Sequence, residues 1–418
     1  MRIERQGVGA AMAVMLLASA AQSQSQTDRQ VAAAAKAAGW TAVLPSKEIE
    51  AFGGREVESV DFLTRHVGWA VGRGTTMILR TTDGGKNWER MPLFDGESHG
   101  RDFASVRFWD ATHGWILGWG ELLRTSDGGE TWEPVQGADY VYGRSLLPLS
   151  TSVAMVGTRD GRILLTTPDG TKLEELARID NRPVGELAFV APNRFFAVVG
   201  QSAGDYGAIF LSTDGGESWE VAAEGDKPLF AIAFGEDGRG VAVGENVAYW
   251  TDDGGESWHR VAVMGKRHAA RFLGGEAVVA VGERPGASVS RDGGRTWRPI
   301  VGPADRGRLV DIDVVDAGWW LVAGGYGSQA IHRRVDPSFR DEIARTSLPI
   351  PASIRLPGGR SLPAGMYDVS LAHDGEEHVL ELERTGPAPA EEGGAATDGA
   401  AAPAPSGDAA TACDPCSA

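Results

Sequence analysis

Cysteine is almost absent from this sequence. The two cysteines, Cys413 and Cys416, lie close together at the C-terminal end, so the fold cannot depend on a framework of disulfides. Their spacing is that of a redox pair, but no βαβ pattern surrounds them. A local disulfide or a pair of free thiols is therefore the preferred interpretation.

Metal-binding patterns are also missing. The eight histidines have no zinc-type spacing, and none lies near the two cysteines. The sequence therefore indicates neither a metal site nor a cofactor, and no residue is assigned a catalytic role.

Positive charge is scarce. The formal net charge is −17, which argues against non-specific binding of nucleic acid. Nucleic acid is therefore not an expected partner.

Long apolar runs are scarce as well. One runs through residues 8–17, behind a basic start and ahead of a small-residue cleavage pattern at 18–20. This arrangement is typical of a secretory signal peptide and is too short for a good membrane span. We expect a signal peptide at 1–20, a leader segment at 21–38, and a mature, monomeric protein in the periplasm that does not span the membrane.

The sequence does contain a repeated motif, which reads Ser-Thr-Asp-Gly-Gly-Glu-Ser-Trp at 212–219. Four further near-complete copies and one worn copy, at 167–173, give aspartates that are 39 to 45 residues apart. A fixed period near 40 residues in an all-β chain predicts a β-propeller. The aspartates and tryptophans of the motif are Asp83, Trp88, Asp127, Trp132, Asp169, Asp214, Trp219, Asp253, Trp258, Asp292 and Trp297.

Each part of this motif has a structural explanation. Glycine reaches positive φ without a Cβ clash, which a tight turn requires. The aspartate accepts hydrogen bonds from the turn, and the tryptophan supplies a large apolar surface between neighbouring sheets. We therefore predict a structural role for these residues.

A second repeat lies between the motifs and consists of an apolar strand that ends in glycine. It occurs seven times, ending at Gly72, Gly118, Gly157, Gly200, Gly244, Gly282 and Gly324. Residues 40–45 look like the segment that comes after an Asp motif. We predict that they pair with the strand near 329–334, which closes a propeller of seven four-stranded blades over residues 39–335 and removes its open edges.

The pattern changes after the propeller. Residues 336–353 are irregular, and residues 354–384 alternate in a way that indicates two to four short strands. We therefore predict a small β appendage at 336–384. The Ala-, Gly-, Pro- and acid-rich composition of residues 385–418 predicts disorder, because it offers too few apolar residues for a core.

A basic residue comes before the centre of each innermost strand. On one mouth of the channel these residues would form a basic ring that binds an anion or an acidic partner, since the arginine fork suits carboxylates. The alternative is that they brace the blades by pairing with Glu58, Asp102, Glu186 and Asp311, at about 0–1 kcal/mol for each surface pair. The ring consists of Arg55, Arg101, Arg144, Arg182, Lys227, Arg267 and Arg308.

Aromatic residues on the same loops add to this surface. Tyr140, Tyr142 and His268 are weak additional candidates for an interface. Trp119 is expected to be exposed on this face. The other tryptophans of the apolar strands, Trp109, Trp115, Trp319 and Trp320, are predicted to pack between blades.

The Asp-Gly-Gly motif resembles the Asp-box, or bacterial neuraminidase (BNR) repeat. With the Gly-Trp-Ala-Val-Gly type strands (66–72 and 113–118) and the subsequent Leu-Arg-Thr-x-Asp-Gly-Gly-x-x-Trp segments (79–88 and 123–132), residues 40–335 resemble the photosystem II stability/assembly factor family. The resemblance implies a non-enzymatic, seven-bladed propeller that holds a membrane-protein intermediate during assembly through an arginine-rich face. This chain departs from the pattern of that family in its incomplete third Asp motif, its β appendage and its C-terminal tail.

These observations predict an exported, non-enzymatic binding or assembly scaffold whose partner is an envelope or membrane protein. An Asp-box glycosidase of the sialidase kind is one alternative, and a carbohydrate-binding or receptor propeller is another. The glycosidase is disfavoured because the Phe/Tyr-Arg-Ile-Pro motif that accompanies Asp-boxes in sialidases is absent and because sialidases resemble six blades rather than seven.

Overall fold

The computed structural model describes most of the propeller region and part of the C-terminal region. The predicted signal peptide, most of the leader and nearly all of the predicted tail lie outside the described residues. These residues are 33–74, 77–93, 102–139, 141–200, 206–283, 286–303, 308–316, 319–324, 330–335, 346–350, 354–355, 361–362, 365–374 and 377–386.

The first half of the chain forms three four-stranded sheets after an initial strand. Residues 33–37 are helical, and a short helix, α1 (Ser46–Ala51), precedes the first sheet. The strands are β1 (Trp40–Leu44), β2 (Gly54–Phe62), β3 (Gly68–Gly74), β4 (Met77–Thr81), β5 (Glu89–Arg90), β6 (Phe103–Phe108), β7 (Gly114–Gly118), β8 (Leu122–Thr125), β9 (Glu133–Pro134), β10 (Gly143–Pro148), β11 (Ala154–Thr158), β12 (Arg162–Thr166) and β13 (Leu173–Arg178).

The second half repeats this arrangement three more times and then adds a final set of three strands. These strands are β14 (Val184–Ala191), β15 (Arg194–Gly200), β16 (Gly207–Ser212), β17 (Glu220–Gly225), β18 (Leu229–Phe234), β19 (Gly240–Gly244), β20 (Ala248–Thr251), β21 (His259–Val261), β22 (Arg267–Gly274), β23 (Ala277–Gly282), β24 (Ala287–Ser290), β25 (Arg298–Ile300), β26 (Leu309–Asp316), β27 (Trp319–Gly324) and β28 (Ile331–Val335).

These strands form a seven-bladed β-propeller, as predicted. Blades 1 to 6 each consist of four consecutive strands, starting with β2–β5, and blade 7 has the order β1-β28-β27-β26. The innermost strands pack against one another in the closed cycle β2, β6, β10, β14, β18, β22, β26 and back to β2. A closed cycle of this kind leaves a channel on the axis.

Strand β1 closes the ring in the predicted way. It pairs antiparallel with β28, from Trp40 opposite Arg334 to Leu44 opposite Ile331. The Trp40 indole nitrogen also donates a hydrogen bond of 2.7 Å to the carbonyl of Val301 in the neighbouring blade. The first strand of the propeller therefore completes its last blade.

Apolar side chains fill the space between neighbouring blades. The described residues form seven separate buried clusters, one at each interface between blades. Leu44 and Ile49, for example, are fully buried in the cluster between blades 7 and 1. The hydrophobic effect therefore stabilises each blade against its two neighbours.

The Asp-box aspartates hold their own turns. In the copy at 212–219, the carboxylate of Asp214 accepts hydrogen bonds from the Ser212 hydroxyl at 2.8 Å and from the Ser218 amide at 3.0 Å. Gly216 has a φ of +96°, a value that favours glycine, and its amide donates to the Ser212 hydroxyl at 2.8 Å. The worn third copy keeps the same use of Asp169, which accepts from the Thr167 hydroxyl at 2.6 Å.

The residues after the propeller form a separate compact unit that begins at Arg345. Four described strands begin within residues 354–384, in agreement with the predicted two to four, and a fifth lies in the stretch predicted to be irregular. One sheet has the order β29-β32-β33, and the remaining two strands pair with each other. The strands are β29 (Thr346–Ile350), β30 (Ile354–Arg355), β31 (Ser361–Leu362), β32 (Gly365–Asp374) and β33 (Glu377–Gly386).

Within the parts of the chain that the structure describes, no helix has both the length and the apolar character needed to cross a membrane.

The closure by β1 predicts a strong dependence of stability on one buried leucine. We expect Leu44→Ala to lower the free energy of unfolding by about 2–5 kcal/mol, because it removes a fully buried side chain between blades 7 and 1. Deletion of residues 39–46 should abolish the single cooperative melt of the propeller. Thr41→Ala, an exposed position on the same strand, is the control. Denaturant melts of Leu44→Ala that overlay those of the wild type would contradict this role.

The Asp-box geometry predicts a loss of stability in acid. Hydrogen bonds from the Ser218 hydroxyl and amide lower the pKa of Asp214 to about 2. A carboxyl group with a lowered pKa stabilises the fold above its unfolded pKa, near 4, and loses that contribution as the pH falls toward 2. We therefore expect Asp214→Asn to lower the melting temperature at pH 7 and to reduce the fall in stability between pH 4 and pH 2.

The adjacent carboxylate gives a matched control for this experiment. Glu217→Gln changes the same charge in the same turn, and Glu217 makes no side-chain hydrogen bond to another described residue. Thermal melts across the pH range should therefore separate the two variants. Equal pH profiles for both would mean that Asp214 does not support its turn.

Candidate binding site at the mouth of the channel

Every innermost strand carries a β-bulge at the same place. In β2, for example, Val57 pairs with Gly72 and Ser59 pairs with Val71, which leaves Glu58 as the extra residue. Such a bulge turns a side chain away from the regular alternation of the strand. The seven bulge residues are Glu58, Ala104, Arg144, Gly185, Phe230, His268 and Val310.

The glycines that end the second strands explain why the bulge fits. A Cβ atom on Gly244 would lie 1.9 Å from the carbonyl oxygen of Pro228, and one on Gly282 would lie 1.9 Å from that of Lys266. The bulged strand therefore approaches the neighbouring backbone more closely than any other residue type permits.

The seven bulge residues surround one cavity at the channel mouth. This mouth lies where the innermost strands begin, on the face opposite the Asp-box turns, and we call it the entry face. The cavity has a volume of about 220 Å³ and receives one bulge residue from each blade. The other lining residues are Arg73, Trp119, Gly143, Arg159 and Arg308.

Four of the lining residues are arginines in a chain of strongly negative net charge. Arg73 is paired: its Nε lies 2.9 Å from the Glu58 carboxylate. Arg144, Arg159 and Arg308 form no ion pair with another described residue, and we call these three the cavity arginines. The cavity therefore carries positive charge that the described part of the protein does not neutralise.

The pKa values of Arg144 and His268 reflect this excess of positive charge. Burial, followed by the nearby guanidinium groups of Arg159 and Arg308, lowers the pKa of Arg144 to about 10. Burial and then Arg308 and Arg144 lower the pKa of His268 to about 3, so the imidazole is neutral at pH 7. An anion that entered the cavity would relieve the repulsion between these cations.

A second, smaller cavity of about 90 Å³ lies deeper on the axis and is lined by polar groups. The Arg107 guanidinium donates two parallel hydrogen bonds of 3.2 Å to the Asp311 carboxylate and one of 2.8 Å to the Ser59 hydroxyl. Although burial alone would raise it, Arg107 and Arg271 hold the pKa of Asp311 below its ordinary value. Arg107, Ser59 and Asp311 connect blades 2, 1 and 7.

Further side chains link blades in the same layer. The Glu186 carboxylate accepts 2.8 Å and 3.1 Å hydrogen bonds from Arg271 and from the Ile232 amide. Asp61 accepts a hydrogen bond of 2.7 Å from the Phe108 amide. Burial and then the neighbouring Asp313 carboxylate raise the pKa of Asp61. These contacts give Glu186 and Asp61 hydrogen-bond partners in other blades and thereby brace the blades.

The predicted basic ring is not a set of equivalent positions. Arg144 and Arg308 line the cavity, whereas Arg55, Arg182 and Lys227 are exposed, three residues before the bulges of their strands. Arg182 pairs with Asp180 at 3.0 Å. The basic residues differ in their distance from the bulge, so of the described members only Arg144 and Arg308 line the cavity.

Two further members of the predicted ring, Arg267 and Arg101, are not seen at the cavity. Arg267 is fully buried, and its guanidinium donates to the carbonyls of Glu283, at 2.9 Å, and Met264. It therefore does not offer its charge to the channel. Arg101 lies outside the described residues.

Among the described residues, the four acids of the bracing alternative form no ion pair with the predicted ring, and the ion pairs of Glu186 and Asp311, but not that of Glu58, connect different blades. Glu58, Glu186 and Asp311 do pair with arginines, yet these are Arg73, Arg271 and Arg107 rather than members of the predicted ring. The fourth acid, Asp102, accepts a 3.1 Å hydrogen bond from the Gly74 amide.

The predictions of which aromatic residues are exposed and which are buried are correct in part. Trp119 is 42% exposed, as expected, but Trp109 is 50% exposed rather than packed between blades. Tyr142 is exposed beside Trp119, while Tyr140 and the Trp319 side chain are not described. Trp115 and Trp320 are buried. Among the described residues, no group of three or more potential metal ligands comes together.

The comparisons with known proteins agree with this geometry. The family model of the photosynthesis system II assembly factor YCF48 matches residues 41–180. The solved structure of YCF48 bound to a D1 peptide aligns with a TM-score of 0.56 at 23% identity, covering 71% of this chain and 97% of that one. The chain is an Asp-box propeller that resembles the photosystem II assembly factors.

Other solved structures extend the comparison. YCF48 from Cyanidioschyzon merolae aligns with a TM-score of 0.57 at 21% identity, covering 72% of this chain and 100% of that one. An ancestral GH74 enzyme aligns with a TM-score of 0.51 at 14% identity, covering 82% of this chain and 53% of the enzyme. At these identities the structural likeness establishes the fold. No curated protein matches the chain.

Sequence reasoning missed Arg107 and Arg271. A usable signal was present, because Arg107 and Arg271 are charged residues with apolar neighbours on both sides within innermost strands, between Val106 and Phe108 and between Ala270 and Phe272. The position of the bulge, by contrast, is a property of backbone pairing that a single sequence does not display.

The axial contacts predict that Arg107 is a structural residue. We expect Arg107→Met to lower the free energy of unfolding by about 3–5 kcal/mol, because it leaves the buried Asp311 carboxylate without its partner. Arg178→Met, at an exposed ion pair, should change it by less than about 1 kcal/mol.

A double variant tests whether the buried charge is the cause. Arg107→Met/Asp311→Leu should recover part of the stability lost in Arg107→Met, since it removes the unpaired carboxylate. Denaturant unfolding of all variants is the measurement. No recovery in the double variant would assign the loss to packing instead.

Proposed function

We propose that this chain is an exported, non-enzymatic binding or assembly scaffold that holds a segment of an envelope or membrane protein at the entry face. The observation that carries the proposal is the group of cavity arginines, Arg144, Arg159 and Arg308, at a mouth to which all seven blades contribute. Arginine binds carboxylates through a planar fork, and an acidic segment would neutralise charge that the described residues leave unpaired.

The comparisons support this proposal at the level of the fold and its known use. YCF48 has been solved with a D1 peptide bound, and its family is described as a photosystem II assembly factor. A propeller resembling it is suited to the same kind of task, in which a rigid ring presents loops to an extended segment. The periplasmic location rests on the predicted signal peptide and is part of the proposal.

The experiment is a crosslinking pull-down from envelope fractions with the wild type and with Arg144→Glu/Arg159→Glu/Arg308→Glu. We expect the wild type to capture one defined membrane protein, the variant to lose it, and capture to weaken with rising salt. The control is Arg55→Glu/Arg182→Glu/Lys227→Glu, which makes the same charge change at exposed positions near the start of their strands.

The three results have distinct meanings. Loss of the partner only in the cavity variant supports the proposal, provided that its thermal melt matches the wild type. Loss only in the control variant would move the site to the exposed basic residues. If the cavity variant does not fold, the corresponding Arg→Gln replacements serve in its place, and partner capture unchanged by them overturns the proposal.

An Asp-box glycosidase is the alternative function, and a GH74 enzyme shares the fold of this chain. Incubation with a fluorogenic sialoside and a panel of polysaccharides distinguishes it. Release of product by the wild type, abolished by a single carboxylate replacement, would replace the scaffold by an enzyme. A carbohydrate-binding propeller would instead bind on a glycan array without turnover.

A further inference from the structure

Trp119, which lines the entry-face cavity, has a second exposed aromatic residue, Tyr142, beside it. Trp119 lines the cavity and is 42% exposed, and Tyr142 is 54% exposed. The two residues are cross-strand partners in a β-bridge between blades 2 and 3, so they lie side by side. We call this pair the aromatic rim.

The rim is held rigidly by backbone hydrogen bonds. The Trp119 amide donates to the carbonyl of Asp102 at 3.1 Å, and the Arg159 amide donates to the carbonyl of Tyr142 at 3.0 Å. Rings on a fixed backbone lose little conformational freedom when they bind, which is why tryptophan and tyrosine are frequent at the centres of interfaces.

The rim is also continuous with the positive charge of the cavity. The guanidinium carbons of Arg159 and Arg73 lie 4.9 Å and 5.2 Å from the centre of the Trp119 ring. Arg144 comes two residues after Tyr142 and lines the same cavity. One ligand can therefore contact an arginine and an exposed ring at the same time.

On the strength of the proposed function, we propose that the aromatic rim is the specificity-determining part of the site. It selects an acidic segment that carries an aromatic side chain next to its carboxylates. The arginines bind the charge, and the rim binds the ring, whose removal from water favours the complex. A purely acidic segment binds the arginines but leaves the aromatic rim without a partner.

Two peptides separate these contributions. The probes are acetylated and amidated Glu-Glu-Ala-Glu-Glu and Glu-Glu-Phe-Glu-Glu, which carry the same charge, with binding measured by calorimetry at low ionic strength. We expect the full chain to bind the phenylalanine peptide about five- to tenfold more tightly, the range for an added aromatic contact.

The variants assign the preference to the rim. Trp119→Ala/Tyr142→Ala should reduce it to less than about twofold, and Trp119→Phe should retain most of it, because a ring remains. Trp109→Ala is the matched control, since Trp109 is 50% exposed on the same blade but lies after β6 on the opposite face. It should leave the preference unchanged.

The outcomes separate this inference from the proposed function. Equal affinity of the wild type for both peptides, or a preference that survives in Trp119→Ala/Tyr142→Ala, overturns the inference and leaves the basic site intact. Weaker binding of both peptides by Arg144→Gln/Arg159→Gln, with the preference retained, supports both. Failure of the wild type to bind either peptide overturns the acidic-segment function and this inference with it.

Discussion

The backbone pairing of β1 with β28 is the constraint on which the propeller depends. Each interface between blades contributes a hydrophobic cluster, but an open array would leave one innermost strand and one sheet edge exposed. With Leu44 opposite Ile331, the last blade acquires its fourth strand, and β26 packs against β2. The channel and its mouth exist because this contact makes the array a ring.

Closure also explains why binding residues and bracing residues are arranged in layers along the axis. The bulge of each innermost strand places one residue at the mouth, and the residues just beyond it face one another within the channel. In the deeper layer the charges of Arg107 and Asp311 neutralise each other, because the two side chains form an ion pair. The outer layer retains unpaired charge at Arg144, so a partner can supply what the fold does not.

Much of the fold could be predicted from the sequence, because its repeats are strong local signals. The Asp-Gly-Gly motifs predict turns. Because the seventh glycine-ended strand has no Asp motif after it, the sequence predicts Trp40–Leu44 as the outer strand of that blade. The binding site was harder to predict, because the extra residue of each bulge shifts by one position which side chains of the strand face the channel. Arg144 and Arg267 therefore looked alike in sequence, yet one lines the cavity and the other is buried against backbone carbonyls.

The bulge gives this fold a position at which its binding chemistry can vary, except at Gly185, where a Cβ atom would lie 2.6 Å from the carbonyl oxygen of Phe230. Its residue does not pair across the sheet, and of the seven bulge residues Val310 alone packs against one of the described clusters between blades. Glycine, alanine, valine, phenylalanine, histidine, glutamate and arginine all occupy it in this one chain. A residue in the next layer has no such freedom, because Ser59 and Asp311 bond across blade boundaries. Function can therefore change at the mouth while the braces beneath it stay the same.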